Sequence, residues 1–600
     1  MLKKHKKLII YIAICFWAFI TMLVMAQICK YGITGLDIIL PCLFVLNILV
    51  FLKTYQLLSG NNREYIGLLR CFVPIGMVMD LCTVVGNKID IDNAKFDDVG
   101  IIDVAYILIL IPFFVCVVEL LFFYADCATE SLKAKGIIEA ENKSEKKQLL
   151  KFWVICSAVM FVCWLPYYLT YFPGGINEDD FECINIIFGN IPWVNHHPVL
   201  YTATMKMFIF LFESIGGLNL ALGMMVLGQM LMMSFTLGAM LIWLKYHGAG
   251  KVWIGVSLAF VSLHSAFSMF SVCLTKDVSF SCVVVLLVLF LYDFCEKYII
   301  NYEVSGKKSG KDCAILGVLS FLVIVTRNNG TMVMVVTYVA LLVAVKKLRK
   351  QLLIVAIIVF SLNGFYKGPV WKTFGIQKQS FVESASIPLT QIAFTIYSDG
   401  VIEGEDREYL ESIMPLDEVK RNFIPGVVDS YKFDENFNTE VVDNDPIRLI
   451  EVWWHLLPNN FGKYVKAYLY QTCGYWHYGV TNTLCTAGVK PNVLGIRSTD
   501  YIEGVTGVSL SGLLSELMLV VRKLPVLCMF TQMAVQMLAV ILTAVQLVRR
   551  KKPYLTVALI PLFAIWGSIM IAVPSYCLFR YMLPAFFLWP MLIYCFMKKE

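Results

Sequence analysis

The chemistry-bearing residues of this 600-residue chain are few and widely separated. Glu178, Asp179 and Asp180 form an acidic run directly after Pro173-Gly174-Gly175, and Asn195-His196-His197-Pro198 follows shortly after. Lys276-Asp277, Arg327-Asn328-Asn329-Gly330 and Arg580 come much later. A carboxylate fixed by a tight turn can act as a general base or hold a divalent cation. Lysine and arginine can neutralise a phosphate, arginine by a two-pronged contact. The two histidines are adjacent, so in a loop they point apart, and they lack the helical i, i+4 spacing of a zinc pair. Pro198 suits the first turn of a helix over 198–213, which sets His197 at the helix entry, where an anion would meet the N-terminus.

Each group also has an ordinary structural reading. Three acids can be a solvated loop, and a histidine can be a packed core residue. Lys276 and Asp277 can satisfy each other while capping a span. Arg327 and Arg580 can be span-end arginines reaching for headgroups.

The elements that must carry these residues are apolar. The chain is 58% hydrophobic and 16% charged, with mean hydropathy +0.71, against about 25% charged in soluble proteins. The apolar residues come in runs of about 20, enough to cross a hydrocarbon core of about 30 Å. These features predict an all-α polytopic membrane protein with about fourteen transmembrane helices. The net charge of +6 is not a nucleic-acid signal, because the basic residues cluster at span ends. The first run follows Met1–Lys7 and has no cleavage site after it, so it reads as an uncleaved first span. Most of the 19 cysteines lie inside apolar runs as small hydrophobes; Cys473 and Cys485 lie in a polar segment where a bridge between them is an option.

Alternating spans from a cytoplasmic N-terminus place the dense basic clusters, including those in 125–150, 299–312, 347–350 and 549–553, on one side. Both termini are then cytoplasmic, in a multi-pass cell-membrane protein. Four divisions follow: 1–150, a four-span N-terminal extension with a basic cytoplasmic loop; 151–368, a transmembrane core with the loop 173–216; 369–525, an extracytoplasmic segment with amphipathic interfacial helices; and 526–600, the last spans. Asp445 and Pro446 mark a helix start inside 369–525. On this topology Asp179, His196, His197, Lys276, Arg327 and Arg580 all fall at the outer ends of spans. Charge at bilayer depth is costly unless it faces a cavity or partner, which makes these residues candidates for one site.

These residues resemble a known pattern. An acidic motif early in the first large loop, then His-Pro before a juxtamembrane helix, is similar to the GT-C superfamily of membrane glycosyltransferases. The likeness extends to an uncharacterised family of bacterial polytopic membrane proteins related to those enzymes. It rests on Pro173-Gly174 with Asp179, Asn195-His196-His197-Pro198, Lys276-Asp277 and Arg327-Asn328-Asn329-Gly330. It continues through Glu383-Ser384, Ile387-Pro388-Leu389, Gln391, Gly474-Tyr475-Trp476 and Arg580-Tyr581 with Pro584. Asp180 stands where that pattern has Ser, so the choice of base among Glu178, Asp179 and Asp180 stays open.

The resemblance implies a GT-C-like core, a polyprenyl-phosphate sugar donor, an envelope glycan or lipid acceptor and an aspartate base in the first large loop. It implies single-displacement, inverting transfer, with His196, His197, Lys276, Asp277, Arg327, Asn328 and Arg580 as the substrate-binding set. A monophosphate leaving group can be held by Arg and Lys alone. A diphosphate more often brings Mg2+ or Mn2+, for which Asp179 and Asp180 are the candidate ligands. The alternative is a transporter or flippase of lipid-linked sugars, which would need polar groups at the midplane and paired broken helices. The sequence carries no Walker loop, HExxH, GxSxG or dinucleotide-binding fingerprint.

Overall fold

A computed structural model describes residues 2–29, 39–59, 63–91, 93, 95–134, 146–300, 306–480 and 482–598. Residues 135–145, the middle of the basic loop placed at 125–150, lie outside the described residues, as do residues 301–305 of the loop at 299–312. The chain is built from helices; its one sheet among the described residues is a two-stranded antiparallel pair, Ile89 against Phe96 and Asp90 against Lys95.

Four helices come first: α1 (Leu2–Ile28), α2 (Ile39–Ser59), α3 (Arg63–Gly86) and α4 (Ile101–Ala134). Their apolar faces meet one another, and α3 and α4 also pack on Leu538, Leu542, Val545 and Phe596. The main core joins α5 (Lys146–Thr170), α7 (Val199–Tyr246), α8 (Lys251–Leu263), α9 (Ser265–Val272), α10 (Lys276–Cys295), α11 (Gly306–Thr326), α12 (Gly330–Ala344) and α13 (Arg349–Phe365) to the helices near the C-terminus. The short α6 (Glu178–Ile187) sits on this core beside the start of α7. A second core, separate from the first, is built between Val382 and Tyr470, where the helix Ser386–Tyr397 packs on Pro446–Thr472. Asp445 caps that long helix through the Arg448 amide, as its sequence requires. The helix is interrupted at Asn460, two residues after Pro458.

Among the described residues nine helices are long and apolar enough to cross a membrane, or up to eleven if two bent pairs are counted as spans. The expectation of about fourteen came from apolar runs, and several of those runs are bent or short in the structure. The run 251–270 is two helices, α8 and α9, bent by 53° at His264; the last run, Phe579–Met597, bends by 48°. The helices Gly330–Ala344 and Met533–Arg549 have 15 and 17 residues. At 1.5 Å per residue they reach only about 22–26 Å. α3 is not among the nine. The expected helix over 198–213 is the first part of α7, which breaks at Gly216 and at Gly217, where φ is +72°.

Cys473 and Cys485 are free thiols, so the bridge considered between them is not formed. The neighbour of the Cys485 thiol is Cys273.

Candidate active site

The site begins with the Pro-Gly-Gly turn. This strap is clamped on both sides: Gly175 N–H donates to the Val272 carbonyl at 2.9 Å, and Ile176 N–H to that of Gly488 at 3.1 Å. Gly174 has φ of +138°, and a Cβ there would lie 2.6 Å from the Val272 oxygen, so a side chain would push the two strands apart. The clamp fixes the start of α6. Asn177 is its N-cap, accepting from the Asp179 amide, while the Asp180 side chain reaches back to the Asn177 amide at 3.0 Å. This is a capping box, closed with Asp in place of Glu.

The acidic run is therefore the first turn of a helix rather than a solvated loop. At about 100° per residue its three carboxylates take three directions. Glu178 points outward to Lys490, at 2.8 and 2.9 Å. Asp180 points inward, is fully buried and accepts from the Tyr201 hydroxyl at 2.6 Å. Asp179 faces the cations: its Oδ2 accepts from Lys276 Nζ at 3.2 Å and from Arg580 Nη1 at 3.1 Å.

Lys276 and Asp277 are not partners of each other. Thr275 caps α10, and its first turn sends them to different partners. Lys276 joins Asp179 and also His197 Nδ1, at 2.5 Å. Asp277 is wholly buried and ion-paired to Arg327 Nη1 at 2.9 Å and Arg580 Nε at 3.6 Å. The Arg327 guanidinium lies 4.3 Å from the Tyr581 ring centroid, a cation–π contact. Arg327 and Arg580 are thus drawn inward by buried acids and do not snorkel.

His197 is buried, and both ring nitrogens are engaged, Nδ1 by Lys276 and Nε2 by Glu182 Oε2 at 3.1 Å. A lysine ammonium can only donate, so Nδ1 accepts and Nε2 carries the proton given to Glu182. Burial first, then the charge of Lys276, pushes the His197 pKa down, consistent with a neutral ring. Burial raises the Asp179 carboxyl, but the charges of Lys276 and Arg580 outweigh it and hold it well below the usual carboxylate range. Asp180 is the opposite case: burial pushes it up to about 7, with its hydrogen bonds to Tyr201 and Asn177 pulling the other way.

Of the expected set, then, Asp179, His197, Lys276, Asp277, Arg327 and Arg580 form one contiguous cluster. Glu178 stands outside it, and Asp180 closes the helix cap. Asn328 has a positioning part: its side-chain amide donates to the carbonyls of Asn195 and His196 at 3.1 and 3.3 Å, fixing the histidine segment. His196 lies beside Glu383, with Nδ1 3.9 Å from Oε1.

Asp179 and Asp180 do not suit a shared Mg2+ or Mn2+. They diverge, and the oxygens of Asp180 are taken by Tyr201 and the Asn177 amide. Glu182, His196 and His197 do bring ligand atoms within 4.8 Å of one another, so the adjacent histidines do not point apart. His197, however, already uses both nitrogens.

Sequence reasoning missed Glu182, Tyr201 and Tyr581 as parts of this arrangement. The signal for Glu182 was present: Asn177-x-x-Asp180 marks a helix start, and a helix there puts Asp179 and Glu182 on one face. Tyr201 carried no comparable signal.

A cavity of about 390 Å³ opens beside the cluster. Lys276, Arg327 and His196 line one part of it, and Met332, Ile569 and Ile571 another. Met332 and Ile571 are exposed on helices apolar enough for hydrocarbon.

Fold and site together define a helical protein with multiple apolar helices of membrane-spanning length and a partly buried acid–cation cluster gathered from five places along the chain. The chain belongs to a family of unknown function (DUF6020), which matches residues 193–600, about two thirds of its length. The match takes in the histidine segment, Lys276, Asp277, Arg327 and Arg580, and starts after Asp179. No curated protein and no solved structure matches the chain.

Proposed function

We propose that this protein is a cell-membrane glycosyltransferase with a GT-C-like core that moves a sugar from a polyprenyl-phosphate carrier to an envelope glycan or lipid, with inversion. One observation carries the reading. Asp179 shares its carboxylate between Lys276 and Arg580, and Lys276, with Arg327, lines a cavity that has exposed apolar side chains in another part. A lipid phosphate has that polarity, with an anionic head and an apolar tail.

In the proposed reaction the acceptor hydroxyl gives its proton to Asp179 and its oxygen attacks the sugar C1. The bond from C1 to the phosphate oxygen breaks, and the lipid phosphate leaves with the electron pair. Lys276, Arg327 and Arg580 take up its charge, the electrostatic work expected of preplaced cations.

A carboxylate paired with two cations is a weak base. The arrangement supplies a remedy, because a phosphate arriving at Lys276 and Arg580 competes for the same donors. As they turn toward it, Asp179 loses their stabilisation and becomes more basic. Asp277 keeps Arg327 in place throughout, and neutral His197 holds Lys276 from the far side. No metal is required in this scheme. The site would face the extracytoplasmic side, with both chain termini in the cytoplasm.

The test is release of polyprenyl phosphate from a polyprenyl-phosphate sugar by the purified chain, with Asp179→Asn alongside. Release by the wild type and its loss in the variant support transfer. If the carrier binds but is never cleaved, with a range of sugars and acceptors, transport of the lipid-linked sugar replaces the proposal.

A further inference from the structure

A different part of the molecule carries two acids that the reading above does not use. Asp80 on α3 is 0% exposed and Glu119 on α4 is 1% exposed. Neither Asp80 oxygen has a hydrogen-bond partner, and neither does Oε1 of Glu119. No ion pair reaches either residue among the described residues. Both stand in the N-terminal four-helix unit, ahead of the part of the chain that the family match covers.

Their surroundings are apolar. α3 and α4 pack through Phe72, Met79, Val115, Val118 and Phe122, with Leu538 and Phe596 of the main body behind them. The Cys116 thiol on the same helix is close enough to feel a charge on Glu119. An ionised carboxylate at such a place costs several kcal/mol without a partner. A metal cation such as Na+ would need several oxygen ligands, and no hydrogen-bond partner stands at either Asp80 oxygen among the described residues. A proton needs one oxygen.

There is also a way in. A polar cavity of about 620 Å³ lies at the end of this unit where α4 begins, lined by Asn87, Lys88, Asp97, Asp98, Asp103 and Tyr106 among others. Lys88 is paired with Asp103 there, at 2.8 Å, and Asp98 with Lys466, at 2.6 Å. Val84 lines the same cavity. Asp80 is four residues before Val84 on α3, on the same helix face and about 6 Å further in. Glu119 is thirteen residues past Tyr106 along α4, about 20 Å deep. Beyond it, about 10 Å further along α4, Asp126 forms an ion pair with Arg549 and Arg550.

We propose that the N-terminal four-helix unit is a proton-binding element, in which Asp80 takes up a proton from the polar cavity and Glu119 holds a second one deeper in the apolar interior. Uptake converts carboxylate and hydronium to carboxylic acid and water, with no other reactant. The site is separate from the acid–cation cluster, and its test does not depend on sugar transfer.

The full-length chain in lipid vesicles is treated with dicyclohexylcarbodiimide, an apolar reagent that modifies protonated carboxyl groups. Peptide mass spectrometry then locates the adducts. Expected are adducts at Asp80 and Glu119 whose rate falls as pH is raised. Asp80→Asn should remove the α3 adduct and leave that on α4, and Glu119→Gln the reverse. The infrared band of a buried protonated carboxyl should weaken in each variant. Absence of both adducts in the wild type across the pH range, with no change in that band, would overturn the proposal. Protection by sodium chloride but not by choline chloride would overturn it too, in favour of a sodium site. Wild-type labelling does not depend on the folding of any variant.

Discussion

Arg580 donates from Nη1 to Asp179 Oδ2 at 3.1 Å across 401 residues of sequence, and Lys276 meets the same oxygen from 97 residues away. Arg580 also reaches Asp277. One arginine near the end of the chain therefore joins the first turn of α6 to the first turn of α10. The acidic helix is thereby tied to the C-terminal helices as well as to the core beneath it.

Asp179→Asn should reduce transfer by about 10²–10⁴, the usual range for loss of a general base. Carrier binding should survive, since the amide is nearly isosteric and Lys276 and Arg580 are then free for the phosphate. Turnover and carrier affinity, measured separately on purified protein, check this. Near-normal turnover in Asp179→Asn together with loss in Asp180→Asn would move the base by one residue and contradict the geometry.

Arg327→Ala should behave differently and lower both carrier affinity and turnover, because the phosphate is charged in the ground state and the transition state alike. It also strips a partner from buried Asp277. Breaking a buried pair costs about 3–5 kcal/mol, although Arg580 at 3.6 Å offsets part of this. Thermal unfolding in detergent should show the loss. In Arg327→Ala/Asp277→Asn stability should partly recover while carrier affinity stays low.

Asp180 ties stability to pH. Its folded pKa of about 7 is raised above the ordinary carboxyl value near 4, so the folded chain binds a proton that the unfolded chain releases. Stability from this group should fall by up to about 1.4 kcal/mol per pH unit as pH rises from about 4 to 7, then level off. Asp180→Asn, which can still accept from the Asn177 amide, should flatten the profile. The observable is the wild-type minus variant difference in unfolding temperature at pH 5 and pH 8. An unchanged difference would contradict the assignment.

Gly330→Ala should destabilise by about 1–3 kcal/mol or more. A Cβ there would lie 2.1 Å from the Val323 carbonyl oxygen, backbone that cannot turn aside, and Arg327 sits on the same turn. Gly364→Ala, where a Cβ meets open space, should be neutral or slightly stabilising. Unfolding temperatures of the pair check this, with carrier affinity falling only in Gly330→Ala.

Topology has its own test. With the exposed native cysteines replaced, Asp417→Cys in intact cells should react with a membrane-impermeant maleimide, and Lys350→Cys should not. The reverse pattern would turn the proposed site to the cytoplasm.

The helical, apolar character of the chain and the residues of the cluster were legible in the sequence. Runs of apolar residues bounded by lysine and arginine leave few other folds open, since backbone polar groups in hydrocarbon must be satisfied within a helix or a closed barrel. Pro173-Gly174-Gly175, Asp445-Pro446 and Arg327-Asn328-Asn329-Gly330 marked turns and helix starts because their backbone constraints are local. The capping box Asn177-x-x-Asp180 was equally local, and it would have shown that the acidic run is helical. Tertiary structure alone decided which acid meets which cation. Adjacent residues such as Lys276 and Asp277, or Asp179 and Asp180, differ by about 100° around a helix. Neighbours in sequence therefore went to different partners, while Asp179 and Arg580 met. How each apolar run divides into helices was decided there as well, because a bend at His264 or a helix of 15 residues depends on what packs against it. The burial of Asp80 and Glu119 without partners was also invisible in sequence: nothing in a string of residues says whether an intramembrane acid faces a cation, water or another apolar helix.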